Sequence, residues 1–378
     1  MKFQKDRIQK AQSLMKEHGI LALMLMNRDD FRYFFGEIRV QPRAIIPAQG
    51  APQVICFHAE EAEIREQLPE VGVLSFRHVG EQMSAVSKTF RALAEELHPV
   101  GDTDPEDKPR IGMQLWFSTP AFLVDLFRKL NPGIELVSSD PVMDPLRMVK
   151  EPEEIDRLRR AQEIAGLGMD RIRSLLTPGV TGLELAAEAT CTMLKAGATG
   201  TSTPIHVNIG LQTCWIHGKA DRTPVQPGDL VVVDLTPRFE GYCANLARTF
   251  VIGGPDEQQE GLIDAYLEMR EVTREALRPG ATVSRLDKLG KEVCERHGLG
   301  EHHINGIAHG IGLRFEETPA STIIPQHRTV KIQEHMTMTI GHTVLAVPGY
   351  GGVRFEDIYR VTPEGGEVLA EYPVEVGV

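Results

Sequence analysis

Four short strings gather the residue types able to move protons, hold a cation or hold substrate charge. Pro227-Gly228-Asp229 turns into the apolar run Leu230-Val231-Val232-Val233, which closes on Asp234. The run reads as a buried strand, and a carboxylate at its end is costly to bury without a partner or a task. After the turn Phe239-Glu240-Gly241, a second strand is expected over Tyr242 to Ile252, with Asn245 at its centre. Such a hairpin brings Asp234 and Asn245 together, facing one cavity. His217 stands shortly before it, in Trp215-Ile216-His217-Gly218, and an uncoordinated imidazole can give or take a proton near neutral pH. His309 lies in Ala308-His309-Gly310-Ile311-Gly312-Leu313, whose glycines permit close backbone approach, and Glu316-Glu317 follow. Arg354 and Glu356, two apart in Gly352-Val353-Arg354-Phe355-Glu356-Asp357, share one strand face.

The elements that must position these groups follow from the rest of the chain. Its 378 residues suffice for two domains, and 42% hydrophobic with 25% charged residues is ordinary for a soluble enzyme. A net charge of −12 argues against a nucleic-acid partner and an anionic membrane surface. Five scattered cysteines form no Cys-x-x-Cys pair, which argues against a zinc knuckle or disulfide framework. No apolar run reaches transmembrane length and no signal-peptide core opens the chain, so a cytoplasmic location is expected.

Along residues 1–142, helices and strands alternate as in an α/β domain. Helices are expected over 7–17, 59–67, 80–97 and near 120–130, strands over 20–26 and 71–76, and a hairpin from 43–47 to 54–58 across Gln49-Gly50. Arg28-Asp29-Asp30 reads as a turn. Clustered Pro, Gly, Ser and Asp over 132–145 read as a linker, with the boundary near residue 145 and residues 143–150 joining the two domains. Glu151-Pro152-Glu153-Glu154 opens a helix at 151, where the second domain, 151–378, begins. That domain repeats itself: Pro178, Thr181, Leu185 and Gly197 recur as Pro279, Thr282, Leu286 and Gly298, so two copies of one helix–strand unit are expected.

The hairpin, the His309 string and the Glu356 ending resemble the pita-bread hydrolases: methionine aminopeptidase, prolidase, Xaa-Pro aminopeptidase and creatinase. The resemblance covers nearly the whole chain. It implies an α+β fold whose two similar C-terminal halves close around one site. It also implies a smaller N-terminal α/β domain of the creatinase and prolidase kind, and a homodimer. In this family His217 would contact substrate, and Asp234, His309 and Glu356 match metal-ligand positions. Two ligand positions depart: Asn245 stands where the family has Asp, and Gly341 stands where it has Glu in a Thr-Ile-Glu-Pro-like strand end. His342 is adjacent to Gly341, but neighbours on a strand face opposite sides, so without a bulge it points away. Glu316 replaces a His of the prolidase branch.

Losing two anionic ligands argues against a stable two-ion centre, because a neutral amide binds divalent ions less well than a carboxylate. No metal is therefore expected, with a single Mn, Co or Zn ion as the alternative. The expected activity is hydrolysis of a C–N bond in a small cationic amide, amidine or ureido compound, as creatinase hydrolyses its C–N bond without metal. His217, His309 and Glu356 would be catalytic; Asp234, Asn245, Glu316 and Arg354 would hold substrate. The alternatives are an Xaa-Pro dipeptidase or aminopeptidase with one weakly held ion, and an inactive pita-bread binding protein.

Overall fold

The structure, a computed structural model, describes residues 3–36, 43–97, 108–115 and 119–378. It divides into two compact units, Met1–Leu146 and Arg147–Val378.

The first unit is built on a six-stranded sheet. Its order is Gly72–Phe76, Gln53–Phe57, Arg43–Pro47, Ala22–Leu25, Arg110–Met113 and Glu135–Ser138. Arg43–Pro47 pairs antiparallel with both neighbours, and the remaining pairs are parallel. A parallel strand needs apolar cover, and Phe76, Phe90, Ile111 and Phe127 supply it from one buried cluster. Two stretches differ from the sequence reading. Arg28–Phe35 is a helix rather than a turn, because the Asn27 side chain accepts the Asp30 N–H at 2.8 Å and caps it. The Pro- and Ser-rich 132–145 stretch is no linker: it holds the edge strand Glu135–Ser138 and most of the helix Asp140–Met148. The Ser139 carbonyl accepts from the Val142 and Met143 N–H groups, so the polar cluster starts a helix instead of a loose join.

In the second unit the repeat is visible as structure. The helices Gly182–Lys195 and Val283–Arg296 have the same length. Thr181 and Thr282 cap them, each accepting the N–H three residues on at 3.3 Å. Gly197 and Gly298 follow with φ of 107° and 72°, a left-handed backbone that a Cβ disfavours. Each helix packs on a longer one, Pro152–Leu175 and Glu257–Ala276 respectively. Leu185 and Leu286 are fully buried, in separate hydrophobic clusters, so each half has its own core.

Between these helix pairs lie two three-stranded sheets. One orders Leu246–Val251, Leu230–Leu235 and His206–Ile209; the other orders Thr337–Ile340, Asp357–Thr362 and Gly365–Val368. A bridge between Ala247 and Glu356, with both N–H···O bonds at 3.0 Å, seams the two. No helix among the described residues is long and apolar enough to cross a membrane. None of the five cysteines forms a disulfide.

Candidate active site

Strand register places the site. His206 pairs with Asp234, Asp234 with Ala247, and Ala247 with Glu356, so these four residues form one row across four chain segments. Directly opposed residues project from the same face. The alanine between the two acids leaves room above the seam. Asn245 and Arg354 lie two residues before Ala247 and Glu356 and so join that face.

The expected second strand is interrupted, and the break aims Asn245. Pairing stops after Cys243 and resumes at Leu246. Gln162, on the Pro152–Leu175 helix, holds the loose backbone from both sides. Its Nε2 donates to the Asn245 carbonyl at 3.2 Å and its Oε1 accepts the Asn245 N–H at 3.3 Å. The Asn245 carboxamide then donates to Asp234 Oδ1 at 3.0 Å. Asp234 Oδ2 takes Arg354 Nη1 at 3.1 Å, with His206 Nδ1 3.6 Å away.

Arg354 is the electrostatic centre of this wall. It is buried, donates to Glu356 Oε2 from Nε at 3.1 Å and Nη2 at 2.5 Å, and reaches the Ile216 carbonyl at 3.4 Å. Burial alone would lower its pKa, but Asp234 and Glu356 raise it, so it remains charged. Burial likewise pushes Glu356 up, and Arg354 and then His342 outweigh it and hold the carboxyl well below the usual range. Cation and acids stabilise one another where neither could be buried alone.

The glycine string shapes the opposite wall. Gly310 bridges to both Glu317 and Met338, and a Cβ there would lie 2.6 Å from the Glu317 carbonyl. His309 is fully buried. Its Nδ1 meets the Gly310 carbonyl at 3.0 Å; a carbonyl can only accept, so Nδ1 carries the proton and Nε2 presents a lone pair. Burial depresses its pKa. Nε2 faces Glu356 Oε1 at 3.9 Å.

The two adjacent glutamates separate. Glu317 turns away and pairs with Arg147 and Lys150. Glu316 turns in, its Oε1 3.9 Å from His342 Nε2, and its Oε2 accepts from the Thr322 hydroxyl. Burial raises the Glu316 carboxyl, but His309 and His342 together bring it below its ordinary value.

His342 is where the sequence reading is corrected. It does not face away. Gly341 ends the strand with φ of 106°, and a Cβ there would collide with the Phe355 carbonyl. This left-handed residue breaks the two-residue alternation, so the next side chain swings inward. The Tyr266 hydroxyl secures the turn, lying 2.6 Å from both the Gly341 and Thr343 carbonyls. The His342 ring packs edge-on to His309 at 4.7 Å between centroids, with Nδ1 3.6 Å from Glu356 Oε1 and 3.4 Å from Arg354 Nη2. His217 stands exposed at the cavity edge, 6.1 Å from the His342 ring. Partial burial, then His342 and Arg354, lower its pKa.

Thus Asp234, Asn245, Arg354 and Glu356 form one bonded wall; His309, Glu316 and His342 form the other; and His217 borders the mouth. His206 was missed, because the Ile205-to-Ile209 alternation that sets it opposite Asp234 went unread.

The donors can be tested against the family's pair of divalent ions. They do not fit. Both Asp234 oxygens are engaged by Asn245 and Arg354. Asn245 is neutral, and no ligand-bearing residue fits the backbone at Gly341. A single ion is a different matter. His309 Nε2 and Glu356 Oε1 are buried without a hydrogen-bond partner. His309, Glu316 and His342 each offer a donor atom within 4.8 Å of the others. The expectation of no metal therefore lacks support from the cavity.

Comparison with known proteins agrees with this architecture. Residues 156–363 match metallopeptidase family M24, and residues 7–149 match the creatinase/prolidase N-terminal domain. The Xaa-Pro dipeptidase of Pyrococcus furiosus is 27% identical over 97% of this chain and 98% of its own. The structure of an Xaa-Pro dipeptidase from Bacillus anthracis superposes with a TM-score of 0.85 at 24% identity, covering 99% of both chains. The prolidase from Pyrococcus horikoshii gives 0.83 at 24% identity, covering 98% of this chain and 99% of that one. With the match extending over more than half its length and the pita-bread fold beneath it, the chain belongs to metallopeptidase family M24 and is a hydrolase.

Proposed function

We propose that the protein is an Xaa-Pro dipeptidase that uses one divalent ion, rather than a metal-free hydrolase of a cationic amide. The observation that carries this reading is the inward His342. It supplies an imidazole beside His309 and Glu316, so the cavity regains donor strength that the departures at Asn245 and Gly341 removed. End-to-end similarity to the Pyrococcus furiosus dipeptidase points to the substrate class.

A divalent ion held by His309, Glu316 and His342 would supply a Lewis acid for the scissile carbonyl and a more acidic water. The chain's own groups do the rest. Asp234, Asn245, Arg354 and Glu356 form a rigid polar wall against which a short substrate is oriented. His217, kept largely neutral by its lowered pKa, accepts a proton from the attacking water and returns it to the leaving proline nitrogen. The carbon–nitrogen bond breaks as the carbon–oxygen bond forms, and the net proton count is unchanged.

A second reading, metal-independent hydrolysis of a small C–N bond, is favoured by one observation: Arg354 already places a buried cation between Asp234 and Glu356. The test is a substrate panel of Xaa-Pro dipeptides and small cationic amides, with Mn, Co or Zn added or with EDTA. The first reading expects Xaa-Pro cleavage that EDTA abolishes, with His217→Ala lowering kcat by roughly 10²–10⁴-fold. Cleavage of a cationic amide that persists in EDTA, with no Xaa-Pro turnover, supports the second and overturns the first.

A further inference from the structure

We infer that the paired-ion cage of the family has been rebuilt in this chain as a site for one ion, shifted onto His309, Glu316 and His342, now that Asn245 and Gly341 supply no charge to hold a second. The inference takes from the proposed peptidase only that an ion is used, and it is tested without substrate.

Three observations carry it. First, the Asp234 half has lost ligand charge, because Asn245 is a neutral amide bonded to Asp234 at 3.0 Å and Gly341 has no side chain. Arg354 makes one contact to Asp234 and two to Glu356. It is pinned further by the Ile216 carbonyl. A divalent ion entering that half finds one carboxylate, Asp234, beside a neutral amide.

Second, His309 Nε2 and Glu356 Oε1 face each other at 3.9 Å, both buried without a hydrogen-bond partner, while Asn245 Oδ1 and His206 Nδ1 are the unpartnered atoms on the Asp234 side. A His309 whose Nδ1–H is donated to a backbone carbonyl has the tautomer and orientation of a ligating imidazole. His342 Nδ1 lies beside Arg354 Nη2 and Glu356 Oε1, at 3.4 and 3.6 Å, and its Nε2 looks the other way, 3.9 Å from Glu316 Oε1.

Third, Gly341 and Glu316 depart from the family together in effect. Gly341 removes a carboxylate ligand and, by its left-handed turn, delivers His342. Glu316 brings an acid where an imidazole would stand. The outcome is one carboxylate with two imidazoles, a donor set that suits Zn²⁺ and the neighbouring first-row ions rather than Mg²⁺ or Ca²⁺. The mutual separation of up to 4.8 Å exceeds the roughly 3.4 Å between tetrahedral ligands at about 2.1 Å from an ion, so side-chain closures complete the shell.

The experiment uses the full chain stripped of metal and titrated with Zn²⁺ and Co²⁺, reading stoichiometry by elemental analysis, affinity by calorimetry and geometry by the visible spectrum of bound Co²⁺. One ion per chain is expected. His342→Ala and Glu316→Gln, each checked for native circular dichroism, should weaken binding by more than about 100-fold, beyond the 10–100-fold typical of residues that only orient a ligand. They should also alter the Co²⁺ spectrum. Glu316→Gln changes one oxygen to nitrogen at nearly constant shape and keeps the test open if His342→Ala does not fold. Two ions per chain, or a single ion whose affinity and spectrum ignore both substitutions, would overturn the inference. A failure of Xaa-Pro cleavage with these binding results intact would reject the substrate and leave the site standing.

Discussion

Glu317 is paired with two cations, Arg147 and Lys150, whereas Glu316, one residue earlier, accepts from the Thr322 hydroxyl and stands 3.9 Å from the His342 imidazole. The chain reverses direction around Gly310 and Gly312, and that reversal sends the two acids to opposite sides of one wall. The inner acid is held by neutral or titratable groups and has bonding capacity to spare. The outer acid is saturated. A buried charge with all its partners inside the protein serves the fold. A nearly buried charge beside unpartnered nitrogen and oxygen atoms has capacity left for a ligand. The difference teaches that residue type and spacing identify both acids as candidates, while only partner count separates them.

The contrast can be tested from its largest effect downward. Glu317→Gln should destabilise the protein by about 3–5 kcal/mol in urea unfolding, because the buried Arg147 and Lys150 lose the carboxylate they share. A loss under about 1 kcal/mol would show that the triad is not a structural clamp.

The pH dependence has a definite sign. Burial raises the Glu317 carboxyl, but Lys150 and Arg147 outweigh it and bring it down to about 2 from an ordinary 4.5. A depressed carboxyl contributes stability that is fully present above the unfolded value and is lost as pH falls through the folded value. The stability gap between the parent and Glu317→Gln should therefore hold above pH 4.5 and shrink, by on the order of 3 kcal/mol, towards pH 2. A gap that stays constant over that window would contradict the pairing.

Gly341→Ala should cost about 1–3 kcal/mol, since the new Cβ meets the Phe355 carbonyl and the backbone lies at φ 106°. It should also turn His342 out of the cavity, detected as a lost Co²⁺ spectral signature. The smallest effect on stability belongs to Glu316→Gln, within about 1 kcal/mol in urea unfolding, because no cation depends on that acid. A cost matching that of Glu317→Gln would erase the contrast.

Much of this was legible in the sequence. Strand alternation put Asp234 at the end of its run and Arg354 with Glu356 on one face. The repeated Thr-capped helices gave the two halves. Short-range periodicity failed where one residue changes the backbone. Gly341 removes a ligand by its identity but supplies one by its dihedral, and only the first is visible in a one-letter code. The helix Arg28–Phe35 was hidden by an acidic first turn that reads equally as a loop. The 132–145 stretch was hidden because Pro and Ser start helices as readily as they end them. His206 becomes meaningful only through its cross-strand register with Asp234. The role of Arg354 was the least legible: its two acid partners, Asp234 and Glu356, come from distant chain segments brought together at the Ala247–Glu356 seam.

The most direct test is a crystal soaked in Zn²⁺ and measured at the zinc absorption edge. The account predicts one anomalous peak within about 2.0–2.2 Å of donors on His309, Glu316 and His342, with Arg354 still joined to Asp234 and Glu356. Two peaks bridged by Glu356, with Asp234 as a ligand and Arg354 displaced, would contradict it.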